Sequence, residues 1–135
     1  MSWPKKAGVI MDNASRMLDK KYMDFQLKLK RAEVHSQAIA TLTESISDDA
    51  VVKEQVNRHS KAIRELECEA QQERLALLDD LLLVDDPNLI TVLKLRYLDN
   101  LSWDAISAQL GCQRRWAMML RDRGLACIIS KRRDR

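Results

Sequence analysis

The stretch LSWDAISAQLGCQRRWAMMLRDRG, residues 101–124, decides how the chain is read. Ser102 can cap a helix, Leu101 and Ile106 occupy hydrophobic-staple positions around it, and Asp104 stands in the first turn, where the helix dipole favours an anion. That helix ends at Leu110-Gly111. Gly111 can take the left-handed conformation of a tight turn, after which Gln113 to Ile128 reads as a further helix with Ala117, Leu120, Gly124 and Ile128 on its inner face. Helix, glycine turn, helix is the order of a helix-turn-helix unit.

Working outward, Asp85-Asp86-Pro87 forms a joint: Asp86 suits an N-cap, and Pro87 suits the first helical position, where a missing N–H costs nothing. A helix from Pro87 to about Leu98 follows, with Ile90, Leu93 and Tyr97 on one face, and stops at the turn pair Asp99-Asn100.

The amino-terminal two thirds differ in kind. No Pro or Gly intervenes between Met11 and Ile46, and Leu18, Tyr22, Phe25, Leu29, Ala32, Ser36, Ile39, Thr43 and Ile46 recur in steps of four and three, a heptad seam. Ser47-Asp48-Asp49 offers N-cap chemistry for a second helix to about Val84, whose seam runs through Val52, Val56, His59, Ile63, Leu66, Ala70, Glu73 and Leu77. Folding the two antiparallel pairs apolar with apolar and sets Ser36 opposite His59 and Tyr22 opposite Glu73. A Tyr22 to Glu73 hydrogen bond is expected to fix the register, because a slipped register would bury either group alone. Met23, Leu27, Val34 and Ala38 form a second apolar stripe on the first helix, and Leu75, Ala76, Leu82 and Leu83 lie outside the seam of the second. A bare hairpin cannot cover both stripes, so either the hairpin self-associates or the C-terminal unit folds back over it, and a homodimer is the favoured expectation. The chain thus reads as all-α: residues 1–84 a long antiparallel coiled-coil hairpin for oligomerisation or spacing, and residues 85–135 a small helix-turn-helix bundle with a basic tail.

Composition agrees and excludes much else. With 46% hydrophobic and 32% charged residues the 135-residue chain is of the folded, soluble type, and three Gly, two Pro and one Phe are too few for a sandwich, a barrel or a Gly-loop nucleotide fold. The longest apolar run, Leu81 to Val84, is far short of a membrane span, and Met1-Ser2-Trp3-Pro4-Lys5-Lys6 lacks the apolar stretch of a signal peptide, so a cytoplasmic location is expected. Cys68, Cys112 and Cys127 lie far apart with no spacing that assembles four zinc ligands, and His35 and His59 are the only histidines. No Gly-rich phosphate loop, Ser/His/Asp set or carboxylate dyad appears; neither catalysis, metal nor cofactor is expected.

Charge divides the chain more sharply than the net +3 suggests. Residues 89–135 hold ten Lys/Arg against four Asp/Glu, whereas residues 48–88 hold five against eleven. Positive charge collects at Arg114, Arg115, Arg121, Arg123 and the tail Lys131-Arg132-Arg133-Asp134-Arg135, where a polyanion can dock.

The order Leu95-Arg96-Tyr97, Leu101-Ser102-Trp103, Ile106, Leu110-Gly111, Arg114-Arg115, Leu120 and Arg123-Gly124-Leu125 resembles region four of bacterial primary sigma factors, and more closely phage transcriptional regulators of the RinA and ArpU kind. The match spans about residues 88–128, a third of the chain. It departs at Gln113, where the family usually carries a Ser or Thr cap, at Ala117, where a branched residue usually packs, and at Trp116, Met118 and Met119 on or near the outer face.

The resemblance implies a sequence-specific regulator, phage or prophage encoded, that binds double-stranded DNA with the second helix of the pair in the major groove. Gln113, Arg114, Arg115 and Met118 would then read bases, Arg114 foremost, while Ser102, Trp103, Arg121, Arg123, Lys131, Arg132 and Arg133 would meet phosphate, packing between the third and fourth helices being for Trp103 the reading that outweighs DNA contact. Met23, Leu27, Val34, Ala38, Trp116 and Met119 are the candidate dimer or partner surface. Arg96 reads equally as a phosphate ligand or as a partner of Asp85-Asp86. Two alternatives stand beside this: a protein-interaction module gripping RNA polymerase or a phage protein, and a small-terminase-like DNA-packaging adaptor.

Overall fold

The computed structural model describes residues 11–44 and 49–134, and every regular element among them is helical. In order these are α1 (Asn13–Glu44), α2 (Ala50–Leu81), α3 (Pro87–Leu93), a π-helical turn continuing it (Lys94–Leu98), α4 (Trp103–Leu110) and α5 (Arg114–Arg133). None is long and apolar enough to cross a membrane.

Short polar side chains start the helices by accepting from free N–H groups. Asp12 Oδ1 accepts from Ser15 N at 2.7 Å before α1, and Asp49 Oδ1 from Val51 N at 3.1 Å before α2. Asp86 Oδ1 accepts from Asn88 N at 2.9 Å with Pro87 in the first turn, and Ser102 Oγ from Ala105 N at 3.1 Å. The expected caps Asp86 and Ser102, and the Asp49 part of the cap on α2, therefore form as read. Ile46 and the Ser47-Asp48 part of the expected cap lie outside the described residues.

Two glycines have different reasons to be glycine. Gly111 closes α4 at φ 68°, the left-handed region, with nothing near a would-be Cβ, so conformation alone selects it. Gly124, in mid-α5, has ordinary helical geometry, but a Cβ there would lie 2.8 Å from Leu93 Cδ1. Its absence lets α3 and α5 approach.

The expected division at residue 84/85 is not where the chain separates by compactness. One unit joins Met1–Met23 with Leu75–Arg135, and the other is Asp24–Arg74. The first turns of α1 and the last turns of α2 thus share a core with α3, α4 and α5.

Within Asp24–Arg74, α1 and α2 run antiparallel: Lys28 Nζ bonds Glu73 and lies 3.3 Å from Glu69, while further along α1 His35 meets His59 further back on α2. On α2 the expected seam holds, with Val52, Val56, His59, Ile63 and Leu66 half-buried and Ala70 buried. On α1 one of its two rows slips by a residue. Phe25, Ala32 and Ile39 turn inward as read, but Leu29, Ser36 and Thr43 are exposed and Lys28, His35 and Leu42 stand half-buried instead. The expected Ser36–His59 pairing is therefore corrected to His35–His59. The slip favours the groups able to use it: Lys28 ends on two carboxylates, and two imidazoles can share a proton where a serine would be too short.

The expected Tyr22–Glu73 bond does not form either, because Glu73 is taken by Lys28 and Tyr22 donates to Asp80 Oδ2 at 2.5 Å. This second bond belongs to the interior of the other unit. There Leu18, Tyr22, Leu77, Leu81 and Val84 bury beside Val92, Leu93, Tyr97, Ile106, Ala117, Leu125 and Ile128. Tyr97 donates to Asp19 Oδ1 at 2.5 Å, the two tyrosine rings meet at 5.1 Å between centroids, Arg132 bonds Asp80, and Arg121 lies 3.7 Å from Asp19 and 2.7 Å from Asp122.

Burial first, and then the carboxylate each donates to, push both phenols far above the usual tyrosine range. The stability they contribute is complete below about pH 10 and is lost as pH rises past it. Since the chain has only these two tyrosines, tyrosinate absorbance in an alkaline titration is expected to stay flat until the helical circular dichroism signal collapses; ionisation ahead of unfolding would contradict the burial. Gly124→Ala is expected to lower stability by about 1–3 kcal/mol in urea unfolding through overpacking against Leu93.

Candidate nucleic-acid interface

Gln113, Arg114 and Arg115 are all exposed at the start of α5. The local sequence explains why. Gly111 turns the chain, Gln113 is extended at φ −74° and ψ 151°, and its side chain makes no capping bond, leaving the amide to face solvent. Ala117, Leu120, Gly124, Leu125 and Ile128 bury the opposite face against α3 and α4, which holds this exposed turn on a packed support. Arg114 Nη1 lies 3.9 Å from Asp104 Oδ1 with both side chains mostly in water, a pair worth under about 1 kcal/mol. Arg115 has no ion pair among the described residues and shares the outer face with Met119 and Arg123, at spacings of four residues. Met118 is half-buried one turn in.

The expected phosphate set separates. Ser102 is exposed, its hydroxyl oxygen capping α4, and Arg123 and Arg133 are exposed. Arg121 is a correction, whereas Trp103 takes the packing role that the sequence favoured over a DNA contact. Trp103 is 7% exposed, with the Arg96 and Arg121 guanidinium carbons 4.8 and 4.9 Å from its ring, so it serves packing and cation–π attraction and presents no phosphate contact. Arg121 is 8% exposed and paired with Asp19 and Asp122; its charge is neutralised inside the protein. Burial is also the leading reason that the Asp122 carboxyl sits above the usual aspartate range, against the lowering effect of Arg121. Lys131 pairs with Asp85 at 3.2 Å and Arg132 with Asp80, both remaining partly open to solvent. Arg96 fills neither expected role: its Nη1 donates to Leu101 O at 3.0 Å.

The carboxylates that claim these cations escaped the sequence reading. Asp80 follows seam residue Leu77 by three, and Arg121 stands four after Ala117 and three before Gly124, so helical spacing alone marked both as inward. Of the expected partner surface, Leu27 and Val34 are 47% and 63% exposed, whereas Met23, Ala38, Trp116 and Met119 are half-buried. Leu75 and Leu78 on α2, and Leu82 just past its end, are exposed as well.

No known family, characterised protein or solved structure matches the chain.

The separation of cations yields a stability test. Arg121→Ala leaves Asp19 and Asp122 without their buried partner and is expected to cost about 3–5 kcal/mol, while Arg115→Ala stays within about 0.5 kcal/mol. Urea unfolding of the two variants checks the order, and equal effects would contradict it.

Proposed function

We propose that the chain is a sequence-specific DNA-binding transcription regulator whose α4–α5 pair acts as a helix-turn-helix. The single observation that carries this reading is the exposed trio Gln113, Arg114 and Arg115 on a rigidly supported helix start immediately after a left-handed glycine. Arginine can bond both acceptors of guanine in the major groove and glutamine can pair with adenine. The resemblance of residues 88–128 to region four of sigma factors and to RinA- and ArpU-like phage regulators supports the same assignment. In this reading Arg114 and Arg115 read bases with Gln113 and Met118 beside them, Ser102 and the first N–H groups of α4 meet phosphate, and Arg123 and Arg133 add charge. Two copies held as a homodimer would read half-sites about 34 Å apart.

One observation favours a second reading. With Arg121, Lys131 and Arg132 engaged by carboxylates, the basic surface is thinner than the charge count, and Trp116 lines a hollow of about 360 Å³ with Leu110, Cys112, Leu120, Asp86, Asn88 and Arg123. A protein-interaction module gripping polymerase or a phage protein would use such a surface through Trp116, Met118 and Met119.

Selection from random-sequence duplex DNA at physiological salt is expected to return one preferred motif. Arg114→Ala and Arg115→Ala should each weaken its gel-shift retention about ten- to a hundred-fold with helicity unchanged. Retention that is indifferent to sequence and vanishes between about 50 and 200 mM salt would overturn the DNA-reading assignment and favour the interaction module.

A further inference from the structure

We propose that His35 and His59 form a two-imidazole site for one divalent transition-metal ion of the zinc, nickel or copper type, clipping α1 to α2 within Asp24–Arg74. The two Nδ1 atoms lie 2.8 Å apart across the helix pair, with ring centroids 5.0 Å apart and planes inclined at 49°. Two nitrogens at that distance share one proton: one ring donates Nδ1–H and the other presents its lone pair. The same pair of atoms suits a metal, because two imidazole nitrogens each about 2.0–2.1 Å from a tetrahedral ion stand about 3.3 Å apart. Reaching that separation needs a shift of about half an ångström, within side-chain rotation, together with transfer of the shared proton to Nε2 of the donor ring. No net proton leaves the neutral pair.

The surroundings set the class of ion and the strength of binding. Imidazole nitrogen suits zinc, nickel and copper rather than the oxygen-seeking magnesium or calcium. Both rings are half-buried, so the ring pair is braced by its neighbours yet keeps an open side for water. No group of three or more His, Cys, Asp or Glu among the described residues forms a metal cluster. The remaining positions therefore fall to water, which makes this an exchangeable site and not a closed structural one. The ion links residues 24 apart in sequence, a closure that favours the packed pair over the unfolded chain.

Thermal melting of the full, untagged chain tests the site. At about pH 7.5, nickel chloride at roughly a hundred times its dissociation constant is expected to raise Tm by about 5–10 °C relative to EDTA. The rise should be lost in His35→Ala and in His59→Ala, whose helicity in EDTA is checked by circular dichroism. Cys68→Ser should keep it. An unchanged wild-type Tm, a rise that survives the loss of either histidine, or a rise that depends on Cys68 would each overturn the proposal.

Discussion

Two aspartates, each shared by a tyrosine and an arginine, set the terms for the unit that contains α3, α4 and α5. Asp80 receives Tyr22 and Arg132; Asp19 receives Tyr97 and faces Arg121. A carboxylate taken out of water is costly, and here the cost is offset only if every partner arrives together. The tyrosine rings touch, so the two halves of this network are also in van der Waals contact. Unlike apolar packing, which tolerates small slides, such a network accepts one alignment of α1, α2 and the carboxy-terminal helices. That is why the unit takes in Tyr22 and Asp80, and why its boundary does not follow the apparent joint at Asp85-Asp86-Pro87.

The same constraint decides which positive charges remain for a partner. Ten Lys/Arg in residues 89–135 suggest a broadly basic surface, but buried Arg121 and half-buried Arg96 flank Trp103 and Arg132 reaches back to Asp80. Lys94, Arg114, Arg115, Arg123, Lys131, Arg132 and Arg133 stay exposed, Lys131 and Arg132 while paired with Asp85 and Asp80.

Much of the fold was legible in local chemistry. The caps Asp49, Asp86 and Ser102, the left-handed Gly111, the inner face of α5 and the seam of α2 each follow from neighbours a few residues away, where spacing and side-chain type suffice. The failures share one cause: they depend on partners distant in sequence. Lys28 and His35 displaced Leu29 and Ser36 from the seam because Glu69, Glu73 and His59 stood across from them, and no single-helix pattern contains that information. Arg121 lay on an inward-facing position, yet its charge made it read as a phosphate contact, and Asp80 entered no reading. At the candidate interface, the exposure of Gln113, Arg114 and Arg115 was legible from the turn and the packing of Trp103 from its place between two helices, whereas the pairing of Arg121 with Asp19 was not.

The short helix α4 hangs between two residues of left-handed backbone, Asn100 at φ 55° and Gly111 at φ 68°. Two torsions, rather than a patch of side chains, thereby encode the direction in which this segment leaves and re-enters the chain. Asparagine and glycine are the residues that visit that conformation most readily, whereas a β-branched side chain there would meet a steric penalty of order 1–2 kcal/mol. Evolutionary drift along the outer face of α4 is accordingly cheap, while drift at either pivot swings the whole segment and with it the corner on which α5 begins.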